Sequence, residues 1–207
     1  MGIGTLIYGE SGTGKSRSIK NLDYSKIGII NVASKPLPFK HKKGDIVIFN
    51  CYDAKTICRA LQKTEKDIMI IDDFQYIMSF DFMNKIQEKG YEKFTVIAQD
   101  IVNIFKTIRE MPEHKRVYIL SHSEIDENGK ERLKTIGKLL NDKIILEGLL
   151  TIVLKTCRTN GKYEFITQNS GFDTVKSPEE MFESEKIDND LSLVDKAICA
   201  YYDIAQS

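Results

Sequence analysis

The sequence predicts an α/β fold in which helices cover a mostly parallel sheet. Short apolar runs rich in Ile and Val alternate with helical patterns through the first half of the chain, as in βαβ units. Further on, the dipeptide Asn160-Gly161 stands between two apolar runs and indicates an antiparallel hairpin. A chain of 207 residues is long enough for one packed domain. We therefore expect a single domain over 1–207, with a core over about 1–157 and a C-terminal hairpin, loop and helix over about 158–207.

The positions of strands and helices follow from the period of the apolar residues in each segment. Strands are expected at 3–8, 26–33, 45–50, 68–73, 116–120, 150–156 and 163–168. Helices are expected at 16–22, 53–63, 80–90, 91–111, in part of 139–149, at 178–182 and at 190–203. The segment 124–138 is polar and contains a glycine, which predicts a mobile loop between two ordered strands.

The stretch from Gly9 to Ser16 reads GESGTGKS and fits the phosphate-binding P-loop pattern G-x-x-x-x-G-K-[ST], also called Walker A. Its glycines permit a tight turn with positive φ, so that successive backbone N–H groups can point at one anion. Lys15 is expected to reach the β- and γ-phosphates of a nucleoside triphosphate, and the Ser16 hydroxyl to ligate Mg²⁺. A chance match in a glycine turn is the alternative, but a strand pattern before the loop and a helix start after it form the context that the motif requires. The expected nucleotide-binding residues are Gly9, Glu10, Ser11, Gly12, Thr13, Gly14, Lys15, Ser16 and Arg17.

A second informative stretch, 68–73, reads I-M-I-I-D-D and looks like a Walker B strand. Its apolar residues form a buried strand that delivers two carboxylates to its C-terminal end, where ligands bind in open α/β sheets. Asp72 is expected to hold Mg²⁺, directly or through water, opposite Ser16. The alternative is that Asp72 and Asp73 merely cap the next helix.

A polar side chain follows another predicted strand, 116–120, which leads into Ser121-His122-Ser123. Because the carboxyl ends of parallel strands meet at one edge of a sheet, His122 is the candidate for a residue that senses the γ-phosphate. A histidine in a surface loop is the alternative.

Composition and charge exclude several classes of function. The formal net charge is zero, so a global basic field for nucleic acid is absent and any such binding must use a local patch. No apolar run approaches 18 residues, which argues against a membrane span. The first predicted strand begins at Ile3 and leaves no room for a signal peptide, and the four cysteines and three histidines show no metal-binding or C-x-x-C spacing. We expect a reduced, cytoplasmic setting without a zinc site or a disulfide framework.

Five stretches sharpen this picture into a resemblance. They are IIDDFQYIM (70–78), GYEKFTVIAQDI (90–101), VYILSHSE (117–124), KTIGKLLNDK (134–143) and YEFITQNSGFDTVKSPEEMF (163–182). Together they resemble the bacteriophage-encoded RecA-like AAA-domain ATP-binding proteins, a group that includes single-strand annealing and recombination ATPases. The resemblance spans nearly the whole chain, and its later stretches are more specific to the group than the P-loop is.

The resemblance implies a RecA/AAA-type P-loop ATPase core that uses ATP and Mg²⁺ and acts on single-stranded DNA in phage recombination or replication. It further implies a homo-oligomer, either a ring or a filament, phage recombination or replication proteins as partners, and a location in the host-cell cytoplasm. Roles carry over only where the motifs match, namely to the P-loop positions, to Asp72, and to His122 as the sensor.

The sequence departs from this group where a catalytic Glu is expected. RecA-type ATPases polarise the attacking water with a Glu at the end of a neighbouring strand, whereas the corresponding strand ends here read 31–34 NVAS and 50–53 NCYD. AAA enzymes place the Glu directly after the Walker B Asp, and Asp73 occupies that place here. A shorter carboxylate orients water less well, so we expect weak or DNA-stimulated hydrolysis from the catalytic set Lys15, Asp72, Asp73 and His122. The candidates for a trans-acting positive group are Arg116, Arg132 and Lys138.

Three functions remain open from the sequence. We favour a DNA-recombination ATPase in which Lys130, Arg132, Lys134 and Lys138 line a DNA-contacting loop and make binding salt-dependent. The second is a nucleotide-gated protein-interaction module with little turnover, which the missing Glu favours. The third is a small nucleoside or nucleotide kinase, against which the lack of an Arg-rich lid argues.

Overall fold

A mixed β-sheet forms the centre of the molecule. The computed structural model describes residues 1–137 and 139–205, without the side chains of residues 141 and 142. The strands in this part of the chain are β1 (Ile3–Gly9), β2 (Ile27–Asn31), β3 (Val47–Asn50), β4 (Ile68–Asp72), β5 (Arg116–Ile125), β6 (Glu131–Leu133), β7 (Ile152–Thr159), β8 (Lys162–Ile166) and β9 (Lys186–Asp188). Their order is β3-β2-β4-β5-β1-β7-β8-β9, and β6 pairs with β5 beside this path. From β3 to β7 the neighbours are parallel, whereas β8, β9 and β6 pair antiparallel.

Helices cover both faces of the sheet, as an α/β fold requires. They are α1 (Ala54–Lys63), α2 (Gln75–Asn84), α3 (Glu92–Glu110) and α4 (Leu191–Tyr201), with 3₁₀-helices at Ser16–Asn21 and Leu146–Leu149 and a π-helix at Leu139–Lys143. One apolar core lies under α1, α2 and α3, and a second lies under the first 3₁₀-helix and α4. Successive side chains of a strand point to opposite faces, so Leu6 and Tyr8 enter the first core and Ile7 enters the second. This double burial explains why the strands read as unbroken apolar runs, and it confirms the predicted α/β class.

A buried ion pair fixes α4 to the start of β5. Arg116 donates from Nε and Nη2 to the two carboxylate oxygens of Asp195, at 3.0 and 3.1 Å, and the Tyr118 hydroxyl donates to Asp195 Oδ1 at 2.6 Å. All three side chains are buried. A paired and hydrogen-bonded charge of this kind anchors the helix in one position, because moving it would leave a buried charge without a partner.

Local turn chemistry explains where the elements begin and end. Asp53 caps α1, since its side chain accepts from the backbone N–H of Thr56 at 2.8 Å. The predicted hairpin at Asn160-Gly161 is confirmed: both residues have positive φ, 52° and 81°, as a type I′ turn requires, and they join β7 to β8. Among the described residues, no helix is both long and apolar enough to cross a lipid bilayer.

Four predicted elements are corrected by the structure. The helix expected at 80–90 is α2, which begins at Gln75 because the chain turns into a helix directly after the acidic pair and buries Ile77 beneath it. The α-helix expected at 16–22 is a 3₁₀-helix over Ser16–Asn21. The helical turn expected at 178–182 is not helical, and the short strand β9 follows it.

The fourth correction concerns the segment 124–138, for which we expected a mobile loop. Instead β5 continues to Ile125, and β6 folds back on it as an antiparallel hairpin. The Asp126 carboxylate accepts from the N–H groups of Asn128 and Lys130, and Gly129 has a φ of 77°, so the turn is held by its own side chain. The dipeptide Asn128-Gly129 was the sequence signal for this hairpin.

Candidate functional site

The glycine-rich loop leaves the C-terminal end of β1 and enters the 3₁₀-helix at Ser16. Gly12 and Gly14 have φ values of 80° and 105°, which residues other than glycine adopt only at a cost in free energy. A Cβ on Gly12 would meet no atom within 4 Å, whereas one on Gly14 would lie 2.8 Å from both Asn189 Oδ1 and Tyr163 Cδ1. Gly12 is therefore needed for backbone conformation alone, and Gly14 also for close packing against the C-terminal part of the chain.

Lys15 is curled over the loop that carries it. Its ammonium donates to the carbonyl oxygens of Gly9 at 2.8 Å and Glu10 at 2.7 Å, and only 7% of the residue is exposed. Burial lowers the pKa of Lys15 to about 8, and the nearby charges of Asp73 and Asp72 limit that fall. The loop thus holds a cation that an incoming anion can draw away from the two carbonyls.

Ser16 and Asp72 meet as the two motifs predict. The Ser16 hydroxyl donates to Asp72 Oδ1 at 2.8 Å, and Asp72 is 6% exposed. Burial, together with the charge of Asp73, raises the pKa of the Asp72 carboxyl to about 6, and the hydrogen bond from Ser16 acts in the opposite direction. A hydroxyl and a carboxylate at this distance can share one cation.

This pair fits Mg²⁺ brought in by a nucleotide. Within residues 1–137 and 139–205, no group of three or more His, Cys, Asp or Glu side chains could hold a metal ion. Mg²⁺ usually takes one or two carboxylates and completes its shell with waters and substrate phosphates. Ser16 and Asp72, beside the glycine-rich loop, would be the protein's ligands in such a shell.

Asp73 is held in a strained backbone conformation that aims its side chain into the site. Its φ is 63°, in the left-handed region that costs an L-residue about 1–3 kcal/mol. The turn lets the chain pass from β4 into α2 while the Phe74 N–H bonds to Leu120 O at 2.9 Å. The carboxylate of Asp73 lies 2.6 Å from Lys35 Nζ and 3.8 Å from His122 Nε2.

His122 lies at the cleft, as expected from the sequence, although β5 does not end there but continues to Ile125. It is paired with Gly9 across β1 and β5, and its N–H donates to Gln75 Oε1 at 3.1 Å. Burial lowers the pKa of the His122 imidazole, and the positive charge of Lys15 lowers it further, against the opposing effect of Asp73. At neutral pH His122 is therefore mostly a neutral hydrogen-bonding group.

Except for Asp72, which contacts Ser16, these side chains line one cleft of about 330 Å³. Its walls are Ser11, Gly12, Gly14, Lys15, Ser16, Arg17, Lys35, Pro38, Asp73, His122 and Tyr163. The Arg17 guanidinium lies 4.6 Å from the centre of the Tyr163 ring, and Arg17 Nη1 donates to Asn189 Oδ1 at 3.4 Å. The cleft thus extends from Asp73 to the aromatic ring of Tyr163 on β8.

Sequence reasoning missed Lys35, Pro38 and Tyr163. Lys35 lies just beyond the end of β2, a neighbour of β4, and the rule that ligands bind at the carboxyl ends of parallel strands could have found it. Nothing in the sequence marks Tyr163, because its place in the cleft depends on β8 packing beside the glycine-rich loop.

Three of the four basic residues assigned to DNA, namely Lys130, Arg132 and Lys134, are not among the residues that line this cleft. Arg132 Nε is 3.4 Å from Glu124 Oε1 across the β5–β6 hairpin, and Lys130 lies at the turn of that hairpin. Lys134 is exposed, and its N–H donates to His122 O at 2.9 Å. Lys138 lies outside the described residues.

Arg116 is not a trans-acting group. It lies at the N-terminal end of β5, whereas the cleft lies toward the other end, and its guanidinium is buried against Asp195. The reason is packing: Arg116 anchors α4, and its guanidinium is paired with Asp195 of the same chain.

The comparisons with known proteins add no family and no relative. Searched against models of protein families and against curated protein sequences, the chain matches none. The site is therefore characterised by its geometry alone: a glycine-rich loop, a buried lysine, and a hydroxyl–carboxylate pair beside a second carboxylate.

Proposed function

We propose that the protein is a P-loop ATPase that binds Mg–ATP in this cleft and hydrolyses it slowly. The observation that carries the proposal is the hydrogen bond of 2.8 Å between Ser16 Oγ and Asp72 Oδ1. It joins the last residue of the glycine-rich loop to the carboxylate at the end of β4, two sites far apart in the sequence. A chance match to either motif gives no reason for the two to meet.

Each side chain has a role in this proposal. The loop N–H groups and Lys15 hold the β- and γ-phosphates, and Ser16 and Asp72 hold Mg²⁺. When bound, Mg²⁺ neutralises charge that develops on the phosphate oxygens. His122 donates a hydrogen bond to the terminal phosphate, and Asp73 orients the attacking water.

We further propose that the ATPase acts on single-stranded DNA, as the resemblance to RecA-like phage recombination proteins implies. One contact supports a link between the two sites: the Lys134 N–H donates to the backbone oxygen of His122 at 2.9 Å. A shift of His122 at the γ-phosphate would thus move the β5–β6 hairpin that carries Lys130 and Lys134. On this proposal the protein assembles as a ring or filament with phage recombination or replication proteins, in the host-cell cytoplasm.

A nucleotide-gated interaction module with little turnover is the second candidate. The observation that favours it is the ion pair of 2.6 Å between Asp73 and Lys35. A carboxylate held by a cation is a poor base, so binding without rapid hydrolysis would follow. The β5–β6 hairpin would then contact a protein rather than DNA.

The test is ATP hydrolysis measured with and without single-stranded DNA, at low and moderate salt. We expect slow hydrolysis that DNA stimulates, stimulation that salt removes, and no activity in Lys15→Ala. Lys63→Ala, which removes an exposed lysine at the end of α1, is the matched control and should behave as wild type. ATP binding without any DNA response would favour the interaction module, and phosphorylation of an added nucleoside or nucleotide would favour a kinase. Absence of ATP binding would refute the nucleotide site.

A further inference from the structure

We propose that Lys35 distinguishes a nucleoside triphosphate from a diphosphate, by exchanging its ion pair with Asp73 for one with the terminal phosphate. This inference rests on the proposed nucleotide site and assigns it a residue that neither motif contains. It predicts two arrangements of one side chain, a resting one on Asp73 and a bound one on phosphate. The evidence is the way in which the chain fixes the backbone of Lys35 and leaves its side chain free to move.

The backbone of Lys35 is clamped beside the cleft. Asn31, buried at the end of β2, donates from Nδ2 to Lys35 O at 2.7 Å and accepts from the Lys35 N–H at 3.2 Å. Ser34 completes this turn with a φ of 54°, a left-handed conformation that is unfavourable for serine. Strain of this kind persists where the surroundings over-determine it, and here it directs Lys35 toward Asp73.

The side chain of Lys35, in contrast, is mostly in water. It is 58% exposed, whereas the Asp73 side chain that it contacts at 2.6 Å is 6% exposed. Lys35 Nζ also lies 5.9 Å from the centre of the Tyr76 ring. The ammonium can therefore leave Asp73 without opening the core, because an exposed lysine stem has many accessible rotamers.

The surroundings of Lys35 belong to the terminal-phosphate end of the cleft. Asp73 and His122 are its neighbours there, and Lys15, which the P-loop pattern assigns to the β- and γ-phosphates, lines the same cleft. A γ-phosphate entering this end would bring negative charge beside Asp72 and Asp73, where an extra cation is most valuable. A diphosphate lacks the group that reaches this place, so it leaves Lys35 on Asp73.

The exchange would also change Asp73. While Lys35 holds it, its carboxylate is engaged; once Lys35 has moved to phosphate, the carboxylate is free to accept a hydrogen bond from water. ATP would thus release the carboxylate that the hydrolysis of ATP requires, and the resting protein would keep it engaged.

The experiment compares binding of adenylyl imidodiphosphate, a non-hydrolysable ATP analogue, with binding of ADP, both with Mg²⁺, by calorimetry. Loss of one hydrogen bond to a charged group costs about 1.5–3 kcal/mol, so Lys35→Ala should bind the analogue about ten- to a hundredfold more weakly. Its affinity for ADP should change by less than about threefold. Lys35→Arg should recover most of the loss, and Lys40→Ala, which removes an exposed cation from the same loop, should match wild type.

A double-mutant cycle with Asp73→Asn tests the exchange itself. The Asp73→Asn variant should bind the analogue more tightly than wild type, because Lys35 has lost its resting partner. Part of that gain should vanish in the double variant, in which Lys35 is also replaced. Suppose that wild type binds the analogue more tightly than ADP. If Lys35→Ala keeps this preference, or binds both ligands more weakly by the same factor, the inference is wrong while the nucleotide site stands. If wild type binds neither ligand, the nucleotide site fails and the inference fails with it.

Discussion

Replacing Asp72 by Asn should stabilise the nucleotide-free protein at neutral pH. Burial, with the charge of Asp73, raises the pKa of Asp72 from 3.8 to about 6. A carboxyl whose pKa is higher in the folded than in the unfolded state favours the folded state below the unfolded pKa and loses that benefit as the pH rises through the folded pKa. One pKa unit corresponds to 1.36 kcal/mol, so the ionised carboxylate costs roughly 3 kcal/mol above about pH 7. Asn carries no charge and keeps an oxygen that can accept from Ser16.

The assay is denaturant unfolding of wild type and Asp72→Asn at pH 4 and pH 7.5, without Mg²⁺ or nucleotide. We expect the two unfolding free energies to be similar at pH 4 and to differ by roughly 3 kcal/mol at pH 7.5 in favour of the variant. Glu127→Gln, which removes a carboxylate from the exposed turn after β5, is the control and should show no such pH dependence. A variant no more stable than wild type at pH 7.5, or equally stabilised at both pH values, would refute the argument that burial penalises this charge.

Three further predictions concern the fold and the glycine-rich loop. Asp195→Ala leaves the Arg116 guanidinium buried without its partner and should lower the free energy of unfolding in denaturant by about 3–5 kcal/mol. A smaller decrease would contradict the anchoring of α4. Gly14→Ala should weaken ATP binding about ten- to a hundredfold and more than Gly12→Ala. Both positions have positive φ, but of the two only a Cβ at Gly14 would meet other atoms at 2.8 Å, so equal effects would show that packing is irrelevant. The pKa of Asp173 is lowered by its hydrogen bonds and its lysine partner, against the effect of burial. Wild type should therefore be more stable than Asp173→Asn above about pH 4, and the difference in unfolding free energy should shrink as the pH falls further. A difference that stays constant with pH would exclude the charge of Asp173 as its source.

Local patterns in the sequence were enough to predict the strands of the parallel part of the sheet and the contact between Ser16 and Asp72. The apolar run before the glycine-rich loop and the run before Asp72 are buried on both faces, so their character does not depend on register. Because the ends of parallel strands share one edge of the sheet, the contact between Ser16 and Asp72 and the place of His122 in the same cleft as Ser16 could be expected from the sequence.

The remaining parts of the site depend on long-range packing, which no local pattern encodes. Lys35 reaches Asp73 only because Ser34 adopts positive φ and Asn31 clamps the turn. Tyr163 reaches the loop only because β7 pairs with β1 and carries β8 beside it. The β5–β6 hairpin was missed for a different reason: its Asn128-Gly129 turn was outweighed by the polar composition of the segment around it.

The place of β1 in the sheet has a consequence for biosynthesis. Its neighbours are β5 and β7, so Ile3 pairs with Arg116, and Thr5 with Ile152, only after the chain between them has left the ribosome. Until then the apolar β1 has no strand partner, and the nascent chain presents it to chaperones or to other chains. Tyr163 and Asn189, which pack against the glycine-rich loop, emerge later still. Translation that pauses before the β7–β8 hairpin therefore yields a chain whose glycine-rich loop has been made but is not yet packed against Tyr163 and Asn189.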